Sequence, residues 1–249
     1  MATLVVALKL KFWYNKNMRT IVAIGGGSIK DKTTLKIDEY IANLAKARAG
    51  EKRAYGLFIG TASHDCMPAF NSFRKTYTSV FDIKADCLLT VTVNTPKEKI
   101  DEKFSKADFI YVGGGDTLYM LEKWKEYDLL NKIFEAYKNG VIVCGLSAGA
   151  VCWFEKMYTD SDILNGKGSD YKIYDGVGLL KGTFSPHYNL RKNDFDKTII
   201  ENNIPYAYAV CDDSAVVFRN EEYLESISSG GDSFKIINEN GTLNYIKLN

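Results

Sequence analysis

One serine of the chain stands in a context that could make its hydroxyl a nucleophile. Ser147 follows the apolar run Val141–Cys144, and the residues around it read Gly-Leu-Ser-Ala-Gly. Small residues two positions before and after a serine let the backbone turn so sharply that the hydroxyl projects above a sheet. We therefore interpret Ser147 as a candidate nucleophile between a strand and a helix, in preference to a tight turn with an incidental serine.

A nucleophilic serine needs a base, because its hydroxyl keeps its proton at neutral pH. The chain offers two histidines. His187 follows a short extended segment, Thr183–Ser185, downstream of the serine, and we select it as the candidate general base. His64 lies on a polar loop upstream and is the alternative. A purely structural role is the simpler interpretation of a single histidine, but the need of Ser147 for a base favours His187.

A catalytic histidine in turn needs a carboxylate, which fixes its tautomer and stabilises its protonated form. Acidic residues are frequent between Ser147 and His187, and their spacing alone does not choose among them. The candidates are Glu155, Asp160, Asp162, Asp170 and Asp175.

Backbone N–H groups could stabilise the oxyanion that forms when a serine attacks a carbonyl group. The N–H of Ala148 begins the segment after the candidate nucleophile, where a helix is expected. The glycine run Gly113–Gly115 could bring further N–H groups close, because it lacks side chains. A tight turn is the simpler interpretation of the glycines, and it is compatible with this role.

The elements that must position these residues alternate between strand and helix up to the serine. Apolar runs near residues 19–24, 55–60, 87–91, 108–112 and 141–146 predict strands, and helical spacing predicts helices near 37–45, 68–81, 97–106 and 118–138. This alternation indicates an α/β fold with a mostly parallel central sheet. Ligand sites of such sheets lie at the carboxyl ends of the strands, where Ser147 and the glycine loops are expected to meet.

Beyond the serine the pattern changes to short extended segments. They lie near residues 176–180, 183–185, 207–218, 223–227, 234–237 and 243–246, and one helix is predicted near 193–202. Asn240-Gly241 between the last two segments is typical of a type I′ hairpin. The sequence thus predicts extra C-terminal strands beside the parallel sheet.

Composition excludes several classes of function. The 32 basic and 31 acidic residues nearly cancel, and no basic stripe with interleaved aromatic residues is present, so nucleic acid is not an expected partner. The glycines Gly25–Gly27 do not complete a dinucleotide fingerprint, because Lys30 stands where the third glycine is needed. The histidines have no metal-ligand spacing, so we expect neither a metal site nor a cofactor.

The chain length and the scarcity of linker-like segments favour a single domain at residues 18–249. An extension at residues 1–17, to which we assign no role, precedes it. The chain has four prolines and no linker-like or low-complexity run. The extension is too short to cross a membrane and lacks a signal-peptide pattern, so no membrane association is expected. Five cysteines without a C-x-x-C pair indicate reduced thiols, which suits a cytoplasmic location.

Four motifs in order resemble those of the serine peptidase family that contains peptidase E, the aspartyl dipeptidases and cyanophycinase, peptidase family S51. They are GGGDT at 113–117, GLSAGA at 145–150, the acidic turn TDSD at 159–162 and PHY at 186–188. The resemblance covers about residues 19 to 218. It implies a flavodoxin-like three-layer sandwich related to the class I glutamine amidotransferases.

The resemblance also implies cofactor-free hydrolysis of small peptides through an acyl-enzyme. Carried over, Ser147 is the nucleophile and His187 the base. Asp162 is ranked first as the supporting carboxylate, with Asp160 second. The oxyanion hole falls on the N–H groups of Gly114, Gly115 and Ala148.

Substrate preference follows from the same resemblance, which implies a dipeptidase that prefers an amino-terminal aspartate. Arg191, after the histidine, and Asp116, after the glycines, are then the expected substrate contacts. A glutaminase-like or isopeptide amidohydrolase is an alternative, although glutaminases carry a cysteine where this chain has Ser147. A catalytically silent ligand-binding relative is a second alternative. The oligomeric state is left open.

Overall fold

The computed structural model describes residues 18–249, so the predicted extension at residues 1–17 lies outside the described residues. The strands are β1 (Thr20–Ile24), β2 (Tyr55–Ile59), β3 (Lys84–Leu88), β4 (Phe109–Val112), β5 (Ile142–Leu146), β6 (Phe154–Thr159), β7 (Lys172–Asp175), β8 (Leu180–Pro186), β9 (Tyr206–Val210), β10 (Ser214–Arg219), β11 (Glu222–Ser228), β12 (Ser233–Glu239) and β13 (Thr242–Lys247). The helices are α1 (Leu35–Ala49), α2 (Met67–Ser79), α3 (Lys97–Lys106), α4 (Thr117–Glu126), α5 (Leu129–Lys138), α6 (Ala148–Val151), α7 (Ser161–Leu164) and α8 (Tyr188–Glu201), and a short 3₁₀ helix spans Thr61–Ser63.

The first sheet has seven strands in the order β11-β10-β1-β5-β4-β2-β3. Strands β1 to β5 run parallel, and β10 and β11 add to one edge in antiparallel orientation. Most residues of β1, β2, β4 and β5 are buried, which explains why these segments are continuously apolar. The predicted α/β fold with a mostly parallel central sheet is confirmed.

The two faces of this sheet are covered differently. Helices α1 and α2 lie against one face, where Phe73 and Tyr77 pack on Phe109 and Tyr111. The core on the other face contains residues of α4, α5 and the second sheet. There Trp124 of α4 packs on Trp153, which directly precedes β6. Each amphipathic layer therefore buries its apolar side against the central sheet.

The extra C-terminal strands form a second sheet of six strands, in the order β13-β12-β9-β8-β6-β7. Strands β6, β8 and β9 are parallel to one another, and the others are antiparallel to their neighbours. The predicted hairpin joins β12 to β13 through Asn240 and Gly241, which both have positive φ, at 53° and 91°. Positive φ at both central residues is the signature of a type I′ turn.

Several segments differ from the sequence prediction. Strands β6 and β7 were not predicted, and residues 176–179 of the strand expected at 176–180 lie in a loop. The helix expected at 118–138 is broken between α4 and α5, where Asp128 adopts a left-handed conformation with φ 53°. The strand expected at 207–218 is two strands, because β9 belongs to the second sheet and β10 to the first. The chain crosses between the sheets in the turn Cys211–Asp213, which the apolar residues on either side conceal in the sequence.

Candidate active site

Ser147 stands at the junction of β5 and α6 in a strained conformation, with φ 55° and ψ −108°. Two glycines make this geometry possible. A Cβ at Gly145 would lie 2.0 Å from the carbonyl oxygen of Gly149, and one at Gly149 would lie 2.3 Å from that of Val112. The N–H of Ser147 donates to the carbonyl oxygen of Ile24 at 3.0 Å. The turn is therefore fixed against β1 and β4, and the serine side chain remains half-buried above the sheet.

His187 brings its ring to the serine from the end of β8. Its Nε2 lies 2.6 Å from the Oγ of Ser147. The backbone of His187 is also strained, with φ 123° and ψ 53°, and its N–H donates to the carbonyl oxygen of Val210 at 3.3 Å. Strained non-glycine residues persist only where the surrounding structure holds them, and they cluster at functional sites.

A carboxylate completes the chain of contacts, and it is that of Asp212. Its Oδ1 lies 2.7 Å from the Nδ1 of His187. The side chain of Asn189 holds this aspartate twice, since its Oδ1 accepts the N–H of Asp212 at 2.9 Å and its Nδ2 donates to Oδ2 at 3.1 Å. Gly26 leaves room for the pair, because a Cβ there would lie 2.4 Å from the His187 Nδ1.

The acidic turn after β6 has different partners, which corrects the expected position of the carboxylate. Asp162 accepts a hydrogen bond from the Lys172 ammonium at 2.6 Å, and that contact holds the pKa of Asp162 below its usual value. Asp160 pairs with the Arg191 guanidinium at 3.0 Å. Among residues 18–249, neither aspartate contacts His187, because both carboxylates are engaged by cations.

The glycine loop after β4 lies against the serine. The N–H of Gly113 donates to Ile59 at 2.9 Å, and the N–H of Asp116 donates to Ala62 at 2.9 Å, which anchors both ends of the loop. A Cβ at Gly114 would lie 3.4 Å from the Cβ of Ser147. Gly115 has φ 137°, a conformation that favours glycine.

Ala148 is the first residue of α6, so its N–H has no partner within the helix. It and the N–H groups of Gly114 and Gly115 are therefore candidate donors beside the hydroxyl.

Comparison with known proteins places the chain in a family. The model of peptidase family S51 matches residues 21–225. The chain belongs to peptidase family S51. Over 226 residues, 88% of this chain and 93% of the relative, it is 32% identical to the uncharacterised peptidase YgaJ of Bacillus subtilis.

Two further matches agree with this assignment. The chain is 30% identical to peptidase E of Salmonella arizonae over 125 residues, which are 48% of this chain and 52% of that protein. Its structure is similar to the crystal structure of a peptidase from an acI-B1 Actinobacterium, with a TM-score of 0.67 and 16% identity over 94% of this chain and 96% of that chain. The structural match shows the shared fold, and the family assignment supports a peptidase that acts on peptide substrates.

The two expected substrate contacts of this S51 chain are occupied by internal partners. Asp116 is buried and caps α4, where its Oδ1 accepts the N–H groups of Leu118 and Tyr119 and its Oδ2 accepts a hydrogen bond from Asn165. Arg191 has 5% of its surface exposed. Besides Asp160, its guanidinium contacts the Tyr158 carbonyl oxygen at 3.4 Å and lies 4.5 Å from the centre of the Tyr171 ring.

Sequence reasoning missed Asp212, although a signal for it was present. Two aspartates, Asp212 and Asp213, interrupt the apolar run 207–218, which is unusual inside a buried strand. The expected carboxylates all lie between Ser147 and His187 in the sequence, whereas Asp212 follows both. His64, the alternative base, packs against Tyr119 with 4.2 Å between ring centres.

None of the helices formed by residues 18–249 combines the length and the hydrophobicity that a membrane span requires.

Proposed function

We propose that this S51 chain is a serine peptidase that hydrolyses small peptides through an acyl-enzyme. The observation that carries the proposal is the continuous chain of hydrogen bonds from Ser147 through His187 to Asp212, with heavy-atom distances of 2.6 and 2.7 Å. A nucleophile, a base and a carboxylate in this order are recognised as a catalytic triad by their geometry, whatever their order in the sequence.

The contact between His187 and Asp212 sets the direction of proton transfer. An imidazole that donates its Nδ1 proton to a carboxylate keeps a lone pair on Nε2, which faces the Ser147 hydroxyl. As Oγ bonds to the carbonyl carbon of the peptide, its proton moves to Nε2, and the Asp212 carboxylate stabilises the resulting imidazolium.

The remaining steps use the same groups in reverse. The carbonyl oxygen becomes an oxyanion, which the N–H groups of Gly114, Gly115 and Ala148 stabilise. When the intermediate collapses, the carbon–nitrogen bond breaks and the imidazolium of His187 gives its proton to the leaving amine. Water then attacks the acyl carbon while the imidazole takes its proton. As the bond from that carbon to Oγ breaks, the imidazolium gives the proton to Oγ, so Ser147 is regenerated and the acyl group leaves as a carboxylic acid.

The proposal extends to a dipeptidase that prefers an amino-terminal aspartate, which the family resemblance implies. Such a preference needs a cation near the serine, and Arg191 is already paired with Asp160. Lys30, on the loop after β1, lines the cavity beside Ser147 and has no ion pair with any of the described residues. Lys30 is therefore our candidate for the residue that binds the acidic side chain.

A fluorophosphonate probe tests the serine mechanism directly, because it reacts covalently with activated serines. We expect labelling of the wild type at Ser147, and loss of labelling in the variants Ser147→Ala and His187→Ala. Ser79→Ala, an exposed serine at the end of α2, is the matched control. Hydrolysis of peptides by Ser147→Ala at the wild-type rate would overturn the proposal. Binding of peptides without hydrolysis or labelling would favour a silent relative.

A dipeptide panel tests the preference for aspartate. We expect kcat/KM to be higher for Asp-Leu than for Asn-Leu and Ala-Leu, and Lys30→Gln to reduce this advantage by up to about fivefold, as expected for an exposed ion pair. Lys36→Gln, an exposed lysine on α1, is the control. Equal turnover of Asp-Leu and Ala-Leu would contradict the preference. Exclusive hydrolysis of glutamine or of the isopeptide β-Asp-Arg would indicate an amidohydrolase instead.

A further inference from the structure

A cavity of about 290 Å³ opens beside Ser147 at the carboxyl ends of the parallel strands. One wall includes Leu146, the residue before the serine, and Gly114 of the glycine loop. The opposite wall is the loop from Gly27 to Lys30, which follows β1. A peptide whose carbonyl carbon reaches Ser147 would therefore have this cavity directly beside its scissile bond.

The floor of the cavity is apolar. The aromatic rings of Phe58 and Tyr111 line it, and these residues are 4% and 1% exposed. Ile29, Ala69 and Leu146 line the sides and are half-buried, so they keep apolar surface in contact with solvent. Covering such surface with an apolar group is favourable, because it removes that surface from water.

The cavity has few polar side chains. The buried hydroxyl of Tyr111 has no hydrogen-bond partner among the described residues, and two serine hydroxyls have internal partners. The hydroxyl of Ser28 donates to Asp31 at 2.7 Å, and that of Ser72 donates to the carbonyl oxygen of Pro68 at 3.0 Å. Both hydroxyl protons are therefore already used. Within the described part of the chain, no acidic residue lines the cavity, and Lys30 is the cation that does.

We propose that this cavity is a specificity pocket for the aliphatic or aromatic side chain of a residue that flanks the scissile bond. Its volume is near the lower limit of small-molecule sites, about 300 Å³, and suits one side chain. This inference rests on the proposed function, because it assigns the occupant by its position next to the serine. If Lys30 binds an aspartate of the acyl group, the apolar side chain belongs to the leaving group; if it does not, the side chain belongs to the acyl group. The two cases are separable.

Two substrate series distinguish the acyl side from the leaving side. The leaving-group series is Asp-Ala, Asp-Leu and Asp-Phe, together with Ala-Ala and Ala-Leu. The acyl series is the p-nitrophenyl esters of acetate, butanoate and hexanoate. We expect kcat/KM to rise by at least about tenfold with the larger side chain in one of the two series. Equal rates throughout both series would overturn the inference.

Filling the cavity tests its location. Ser72→Phe or Ala69→Leu introduces bulk from α2 and should reduce the preference for large side chains to less than about threefold, while the smallest substrates and probe labelling of Ser147 are retained. Asn71→Phe is the matched control, because Asn71 is exposed on the same helix and does not line the cavity. An unchanged preference in both filled variants would show that the side chain binds elsewhere.

A binding measurement without turnover tests the pocket separately from the serine mechanism. In the Ser147→Ala variant, millimolar N-acetyl-leucine amide should shift the amide NMR signals of Ile29 and Ala69, and N-acetyl-glycine amide should leave them unchanged. Absence of any shift with the leucine compound would contradict the pocket even if Ser147 is catalytic. A specific shift in a protein that no fluorophosphonate labels would support the pocket and reject the peptidase mechanism.

Discussion

Two acidic turns at the ends of parallel strands in the second sheet contain similar residues but have opposite surroundings. The turn Asp160–Asp162 follows β6, and its two carboxylates are paired with cations, Arg191 and Lys172. The turn Cys211–Asp213 follows β9, and its Asp212 accepts hydrogen bonds from an imidazole and an amide. Aspartate in a strand-end turn is thus common to both, and the neighbouring donors differ.

This difference determines what each carboxylate can do. A carboxylate paired with a permanent cation has its charge compensated before any reaction begins. The charge of Asp212 is opposed by neutral donors, so it remains available to stabilise a positive charge that develops on His187. We therefore propose Asp212 as the catalytic carboxylate, and the predictions below follow from the partners of each side chain.

The largest effect is expected at Asp212. In Asp212→Asn the amide offers an N–H to the Nδ1 of His187, which favours the tautomer that carries its proton on Nε2 and cannot accept one from Ser147. We expect kcat to fall by about 10³- to 10⁴-fold, as in triads that lose the orienting carboxylate. Steady-state hydrolysis of a dipeptide substrate measures it.

Asp162→Asn is the matched control for this experiment, since it makes the same chemical change in the other turn. It removes an ion pair with Lys172 and a hydrogen bond from Tyr174, neither of which involves His187, so kcat should stay near the wild-type value. A larger loss of kcat in Asp162→Asn than in Asp212→Asn would indicate that Asp162, and not Asp212, is the catalytic carboxylate.

A third aspartate, Asp38, has neither a cation nor a histidine beside it among residues 18–249. It is fully buried on α1 and accepts hydrogen bonds from Thr34 and Tyr77, and burial raises its pKa to about 6 from 3.8. The folded state therefore binds its proton more tightly than the unfolded state does. This contribution to stability is complete below about pH 4 and is lost as pH rises to about 6.

Asp38→Asn isolates this contribution, because the amide does not titrate. The free energy of unfolding of the wild type, relative to Asp38→Asn, should fall by about 3 kcal/mol between pH 4 and pH 7. Urea unfolding at each pH measures the difference, and Asp31→Asn, an exposed aspartate, is the control. A difference that is independent of pH would contradict the raised pKa.

The pair Arg191–Asp160 should contribute to stability rather than catalysis. Arg191→Leu leaves Asp160 without its cation, and we expect the free energy of unfolding to fall by about 1–3 kcal/mol because the arginine is buried. Probe labelling of Ser147 should continue at a comparable rate in the folded variant. A selective loss of activity toward Asp-Leu, with stability unchanged, would instead restore Arg191 as a substrate contact.

Local patterns in the sequence were enough for the parallel sheet and for the serine and histidine that the structure brings into contact. The reason is that Ser147 is defined by its own glycines and the strand before it. Asp212 depends instead on long-range pairing, since Pro186 of β8 lies beside Val210 of β9, and this register places the two following turns together. No local pattern encodes that register, and the apolar residues around 211–213 conceal the change of sheet.

The smallest of the four effects is expected at Asn189, which holds Asp212 without touching the serine. Its side chain makes two hydrogen bonds to Asp212, one with the backbone N–H and one with the carboxylate. Because Asn189 is exposed, water replaces part of what Asn189→Ala removes. We expect a loss of about 1–2 kcal/mol in transition-state stabilisation, which lowers kcat by about 5- to 30-fold and leaves KM unchanged.

Asn193→Ala provides the control for Asn189, since Asn193 is an exposed asparagine on the same helix, α8. A positioning role also predicts a spectroscopic change: the downfield NMR signal of the His187 Nδ1 proton should shift in Asn189→Ala and disappear in Asp212→Asn. If kcat falls equally in Asn189→Ala and Asn193→Ala while the imidazole signal stays in place, the effect comes from the helix as a whole. Asp212 would then be held in position by its own turn, as the aspartates of the other acidic turn are held by their cations.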